Sequence, residues 1–463
     1  MGRVILAAMG SGSGKTIITC GILNALKDMG LKVKSYKCGP DYIDPMFHET
    51  VLGIPSDNLD SFFSTKEQLC ELLAIGEAFD ISIIEGVMGI YDGLGGITDT
   101  GSSYDLAKIT DTPVILIVNA KGMGRTLISM VKGVLADDKE HRIKGIILNR
   151  ISDAFYNTIS GIMEEETRVP VIGYIKEMKD VLIESRHLGL KLPEEITDLK
   201  NQVENIANSL KSTVSLEMIL DIARTAPNVN DINGISNKEC KPCDKGDLSY
   251  EESVSNKKVR LAVAKDEVFC FYYEQNFRML EREGVEIEFF SPLHDNNLPK
   301  DIDGILLGGG YPELKLKELE RNLGIKNEIK NAIEKGIPSL AECGGFMYLH
   351  NAIIDEDDNE FEMVGAIDGK CFNTGKLCRF GYVDLKIGEH NLKGHEFHYY
   401  DSTLNGEDNT AIKPLTGKMW KYGYYDKNKI WGFPHLYYGS CEKLIEDFVL
   451  EMRNYRKDRY ENE

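Results

Sequence analysis

"AAMGSGSGKT" occupies residues 7–16, between the apolar run "RVILAA" and the helically spaced stretch "IITCGILNALKDMG". A glycine-rich loop between a strand and a helix turns several backbone N–H groups toward one point at the positive end of the helix dipole, which makes a phosphate site. Gly10, Gly12, Ser13, Gly14, Lys15 and Thr16 form that loop. Lys15 is placed to reach the β- and γ-phosphates of ATP, and Thr16 to offer its hydroxyl to Mg2+. Met9 stands where the strict GxxxxGK[ST] spacing has its first glycine. A flexible surface turn is the bland alternative, and the strand–loop–helix context decides against it.

Working outward, "KVKSYKC", "ISIIEGV", "PVILIVN", "IKGIILNR" and "VPVIGYI" alternate with amphipathic stretches. Near-continuous Val/Ile/Leu runs separated by helices predict a parallel sheet covered on both faces, so residues 1–227 read as a doubly wound α/β P-loop domain. Two acidic segments follow later strands, where open α/β sheets bind ligands. "YKCGPDYIDPMFH" carries Asp41, Tyr42 and Asp44, and "IIEGVMGIYDG" carries Glu85 and Asp92. Carboxylates there can handle Mg2+ and an acceptor, with Thr16, Asp41 and Glu85 the expected metal ligands, although each acid also has a reading as a turn or cap residue.

Residues 228–257 are rich in Asn, Lys, Ser, Asp and Glu and predict a linker. Strand signals resume with "VRLAVA", "VEIEFF", "DGILLGGG" and "IPSLAEC", then β-rich sequence, so 258–452 reads as a second α/β domain with an antiparallel part. At 463 residues two domains are the expectation. The net charge of -20 argues against nucleic-acid binding. No window reaches the ~18 apolar residues of a membrane helix, and the N-terminus reads as a strand, not a leader; the expectation is a cytoplasmic protein. The ten cysteines show no disulfide framework, and the CxxC pair Cys240/Cys243 lacks a second pair at zinc spacing.

"LAECGGFMYL", residues 340–349, places Cys343 at the end of an apolar run and before two glycines. A cysteine is most often a small buried hydrophobe. Here Gly344 and Gly345 allow a sharp strand-to-helix turn that holds the sulfur at a helix N-terminus, the geometry of a nucleophile elbow. The N–H of Gly344, with one from Gly309 or Gly310 in "LLGGGYPE", can stabilise an oxyanion. A histidine must serve as base, and the residues leave three candidates: His395 and His398 in "GHEFHYY" and His435 in "GFPHLYY".

Taken together, "KCGPDYIDPMFH", "NLDSFF", "EGVMGIYDG", "GMGRT", "GIILNR" and "ESRHLGL" resemble the synthetase domain of the cobyrinic acid a,c-diamide synthases. "FCFYYEQN", "FFSPLHD", "LLGGGYPE", "AECGGFMYL", "RFGYV" and "GHEFHYY" resemble the glutamine amidotransferase domain of the same family. The resemblance implies a dethiobiotin-synthetase-like P-loop domain joined to a class I amidotransferase-like domain. It also implies ATP- and glutamine-dependent amidation of the a and c acetates of cobyrinic acid, with Mg2+ accompanying ATP. Lys15, Asp41, Glu85 and Asp92 match family positions associated with ATP, Mg2+ and acceptor handling. By analogy His435 is the base for Cys343. Tyr437 stands where many class I amidotransferases have the Glu that orients that His, so a Cys343–His435 dyad is expected, with no residue in the sequence visibly orienting the imidazole.

Related acceptors of similar shape are nickel-sirohydrochlorin and hydrogenobyrinic acid, served by enzymes of the same architecture. Asn119, where the family commonly has Asp, and the lack of a His in "SDAFYNTI" bear on that choice. Expected partners are thus ATP, L-glutamine and a tetrapyrrole, with a homodimer an allowed assembly. Ammonia made at Cys343 has to reach the first domain shielded from water. A reading of a different class is a P-loop regulatory or partitioning ATPase whose second domain only binds.

Overall fold

The computed structural model describes residues 2–177, 199–232 and 258–461, with the backbone of short strands at 185–186 and 189–190. Cys240, Cys243 and the 233–257 part of the expected linker lie outside the described residues, as do the side chains of "ESRHLGL". The chain divides into two units, Met1–Cys240 and Lys241–Glu463.

Seven parallel strands form the sheet of the first unit: β1 (Gly2–Ala8), β2 (Val33–Cys38), β3 (Ser56–Leu59), β4 (Ile81–Glu85), β5 (Val114–Asn119), β6 (Ile143–Asn149) and β7 (Val171–Ile175). Their order is β3-β2-β4-β1-β5-β6-β7. β1 is buried throughout, because Ile5 and Ala7 enter one apolar core while Val4, Leu6 and Ala8 enter the other. Burial on both faces is what makes such a strand read as an unbroken apolar run. The helix Lys15–Asp28 adds Ile18, Ile22, Leu23 and Leu26 to the second core. β3, "SDNL", has no apolar run and is an edge strand fixed by pairing with β2. The carboxyl ends of the neighbouring strands β2, β4 and β1 lead into the two acidic loops and the glycine loop, which brings all three segments to one end of the sheet.

A short antiparallel ladder joins β8 (Ser185–Arg186) to β9 (Gly189–Leu190). In the second unit β10 (Val259–Ala264), β11 (Val285–Phe290), β12 (Gly304–Leu307) and β13 (Ser339–Glu342) belong to a six-stranded sheet. Two smaller sheets take up most of the remaining strands: β14 (His350–Ile354), β15 (Glu360–Glu362), β16 (Ile367–Asn373), β17 (Arg379–Ile387), β18 (His390–His398), β19 (Tyr400–Ser402), β20 (Asn409–Ile412) and β21 (Met419–Tyr422). β22 (Tyr424–Asp426) and β23 (Lys429–Gly432) complete the first sheet in the order β11-β10-β12-β13-β23-β22, and β24 (His435–Tyr437) joins a five-stranded sheet ordered β21-β20-β17-β18-β24.

The helix Glu442–Glu461 packs Leu444, Ile445, Phe448, Val449 and Met452 on one core of this unit. It continues to Arg456 and Arg459, which grip the fully buried Asp303. Arg456 Nε donates to Oδ2 at 3.0 Å, Arg459 Nη2 to Oδ1 at 3.3 Å, and the backbone N–H of Arg260 to Oδ2 at 2.8 Å. Packed structure therefore continues past the expected domain end at 452. It also continues past 227, since Val229 of the helix Val229–Ile232 is buried in the first unit's core. Both extensions have polar sequence whose few anchoring residues composition does not reveal. Among the described residues no helix is long and apolar enough to cross a membrane.

Candidate active sites

In the glycine loop, Gly12 and Gly14 have φ of +71° and +89°, the left-handed region that glycine enters without strain. Gly14 caps the helix Lys15–Asp28. Asn149 Nδ2, from the end of β6, donates to the carbonyl of Ser13 at 2.8 Å, and a Cβ on Gly14 would lie 2.5 Å from that same nitrogen. The loop is thus held from beneath at a point where only glycine fits. Lys15 is buried, and its Nζ donates to the carbonyls of Gly10, at 3.2 Å, and Met88. Burial, then the nearby Lys37 ammonium, bring its pKa down to about 8.

Thr16 Oγ1 donates to Glu85 Oε1 at 2.6 Å. Glu85 ends β4, fully buried, beside Lys37 on β2, whose Nζ lies 2.9 Å from the same oxygen and also pairs with Asp44. His48 Nε2 is 3.4 Å from Glu85 Oε2, and its Nδ1 is 2.9 Å from Ser35 Oγ. Burial alone would neutralise Glu85, but Lys37, His48 and the Thr16 hydroxyl outweigh it and hold the carboxyl below the usual range. Two hard oxygens, a hydroxyl and a carboxylate, therefore meet where the loop opens, which fits Mg2+. That ion keeps waters and takes phosphate oxygens, so it needs few protein ligands. Among the described residues no group of three or more His, Cys, Asp or Glu is placed to hold a metal ion.

The other two acids do local work in this structure. Asp41 Oδ1 accepts the N–H groups of Ile43, at 2.8 Å, and Asp44, at 3.2 Å, opening the helix Ile43–Thr50. Asp92 Oδ2 accepts from Gly89 N at 2.9 Å and closes its own turn. Tyr42 is buried.

In the second unit β13 ends at Glu342 and the helix Gly344–Tyr348 begins immediately after Cys343. Cys343 has φ +44° and ψ -105°, a conformation that costs a non-glycine residue about 1–3 kcal/mol. Its N–H donates to Gly432 O on β23 at 3.0 Å. The turn is packed against β12, since a Cβ on Gly345 would stand 2.1 Å from Leu307 O. A Cβ on Gly344 would stand 3.2 Å from Gly310 N, so the two expected oxyanion segments adjoin. A Cβ on Gly309 would stand 2.2 Å from His435 Cε1. Cys343, His435, Gly309, Gly310 and Gly344 are therefore brought into one buried cluster. Burial pushes the Cys343 thiol well up and His435 well down, so the pair rests neutral.

His435 is the register partner of His395 on β18, and their rings stack at 4.8 Å between centroids. Asn276, in "FCFYYEQN", secures the residues after His435: its Nδ2 donates to Leu436 O at 2.9 Å and its Oδ1 accepts from Tyr438 N at 3.0 Å. On the other side stands Glu342, with Oε2 3.8 Å from His435 Nδ1 and Oε1 accepting from the Tyr438 hydroxyl at 3.3 Å.

The family model described as the CobQ/CobB/MinD/ParA nucleotide binding domain matches residues 4–190, and that of the CobB/CobQ-like glutamine amidotransferase domain matches residues 260–437. A cobyrinate a,c-diamide synthase of Priestia megaterium is 37% identical over 99% of this chain and 98% of its own length. The chain belongs to the cobyrinate a,c-diamide synthase family. A second member, from Thermoplasma volcanium, is 38% identical with the same two coverages. Membership in this glutamine-dependent amidotransferase family accounts for both clusters in one chain.

Within this family frame, the residues that sequence reading missed are Lys37, His48, Asn149 and Glu342. The first three lie inside the quoted segments "KCGPDYIDPMFH" and "GIILNR" but carry no spacing signal of their own. Glu342 immediately precedes the cysteine and reads there as one more strand residue.

Proposed function

We propose that the chain is a glutamine-hydrolysing cobyrinate a,c-diamide synthase, converting the a and c acetate carboxylates of cobyrinic acid to amides at the expense of ATP. The observation that carries this reading is the coexistence of a phosphate loop with its Thr16–Glu85 pair and a strained cysteine elbow adjoining the Gly309–Gly310 loop that packs on His435. A purely regulatory ATPase has no use for the second.

Cys343 Sγ attacks the side-chain amide carbon of glutamine while His435 takes the thiol proton, so the thiolate exists only as the reaction begins. The oxyanion is met by the N–H of Gly344 and one from Gly309 or Gly310. His435 passes the proton to the departing nitrogen, ammonia leaves, and water releases glutamate from the thioester. In the first unit the loop amides and Lys15 hold the nucleotide phosphates, and the acceptor carboxylate takes the γ-phosphoryl group. Ammonia then displaces phosphate from the acyl phosphate, giving the amide. Thr16 and Glu85, with Asp41 from the loop after β2, would hold Mg2+, which would neutralise phosphate charge when bound. Asp44 and Asp92, with Tyr42, are proposed to face the acceptor.

Two variants separate the half-reactions. Cys343→Ala is expected to release no glutamate from glutamine yet to amidate cobyrinic acid when ammonium chloride is supplied. Lys15→Ala is expected to abolish amidation from either nitrogen source and keep basal glutaminase. Product mass spectrometry reads two carboxyl-to-amide conversions; equal glutamate release by wild type and Cys343→Ala would refute the nucleophile, and no amidation would refute the acceptor.

A further inference from the structure

We infer that Glu342 is the positioning residue for His435, supplying from the strand of the nucleophile the carboxylate that the residue two beyond the histidine does not. The inference rests on the reading of Cys343 and His435 as nucleophile and base. A base that accepts a proton from sulfur works only in the right tautomer and orientation, which a third group holding its other nitrogen provides. Tyr437 has no carboxylate to offer.

Glu342 meets the geometric demands of that role. Its Oε2 faces His435 Nδ1 at 3.8 Å, within ion-pair range. Its Oε1 accepts from the Tyr438 hydroxyl, so the carboxyl group is held by one residue of the segment it orients while facing another. Asn276 fixes the backbone between those two residues. Strand alternation explains the direction: Leu340 on β13 packs in the same core as Leu436 and Tyr438, and Glu342, two residues on, shares Leu340's face. Glu342 is 5% exposed, so little water competes for its oxygens.

An unpartnered carboxylate is costly inside an apolar core. Burial raises this one to about 8. Proton transfer to His435 creates the cation that such a group is suited to face. The other titratable groups given around the ring among the described residues are His395 and His398 from β18, Cys343 from the elbow and Tyr438 from the turn after β24. Glu396 is engaged with His398 at 3.8 Å.

The test is glutaminase kinetics of the full chain, wild type, Glu342→Gln and Glu342→Asp, across pH. Glu342→Gln preserves shape and the acceptor for Tyr438, so thermal unfolding should be unchanged. Its kcat should fall about ten-fold or more, as for other orienting partners, with KM for glutamine within about two-fold. The acidic limb of kcat/KM, where protonation of His435 removes the base, should move to lower pH by about one unit or more, because the group that favours the imidazolium has been removed. Glu342→Asp should restore part of both effects. An unmoved limb with kcat within about two-fold of wild type in Glu342→Gln would overturn the inference; should that variant melt early, Glu342→Asp decides, and a pH profile for it no nearer wild type than that of Glu342→Gln would overturn it equally. Failure of the underlying reading looks different: His435→Ala would then keep its glutaminase activity.

Discussion

Lys15 sits in the glycine loop with burial and the Lys37 ammonium both disfavouring its charge, which brings its pKa down to about 8. An unfolded chain holds that proton up to the ordinary lysine range. The charged form therefore weighs against folding below pH 8, and this penalty is relieved as pH rises from there toward the unfolded value. A bound phosphate reverses the preference. Binding of MgATP at about pH 8.5 is expected to take up a proton that binding at about pH 6.5 does not, and Lys15→Ala should abolish the difference. Calorimetric titration in two buffers of unequal ionisation enthalpy measures it; identical apparent enthalpies at the higher pH would remove Lys15 from the phosphates. At this scale the sequence reveals residues next to glycine, since Lys15, Cys343 and Gly344 adjoin glycines where a loop or strand passes into a helix. Residues that act through a distant partner stay hidden: Lys37 becomes meaningful only beside Glu85, and Glu342 only beside His435.

Among the elements, the loop after β12 shows how little tolerance the thiol cluster has. A methyl group on Gly309 would stand 2.2 Å from Cε1 of His435, so Gly309→Ala must displace the imidazole or the loop. A misplacement near 1 Å costs on the order of a hundred-fold in rate. Glutaminase activity of Gly309→Ala is expected to fall by about that factor while amidation from ammonium chloride persists; a normal glutaminase rate would mean that the ring has room to move. Elements differ in legibility for a packing reason. β1, β4, β5 and β6 are buried on both faces and so read as apolar runs, whereas β3 is four residues, "SDNL", whose place is set by its pairing with β2. Many strands of the second unit are only three or four residues long, too short for alternation to delimit them. The two acidic loops were legible as locations, but the capping tasks of Asp41 and Asp92 depend on which backbone N–H each carboxylate finds.

For the molecule as a whole, the order of the runs was enough to indicate two α/β units, but their far edges were not, because polar stretches with a few buried anchors resemble linkers and tails. Arg456 and Arg459 are such anchors on Asp303. Asp303→Ala removes the carboxylate from two partly buried guanidinium groups, leaving Arg456 the carbonyl of Lys258 and Arg459 that of Ile302, and is expected to destabilise the second unit by about 3–5 kcal/mol. For a unit of this size that corresponds to roughly 6–12 °C in Tm at the lower figure, measurable by differential scanning calorimetry, with a shift under about 2 °C counting against the clamp. The same arrangement orders events during synthesis. The ribosome completes the first unit's sheet early, so that unit is free to fold while the second is still being translated. The helix Glu442–Glu461 is made after everything it secures. A nascent chain is therefore expected to complete its nucleotide loop well before its cysteine pocket is secured.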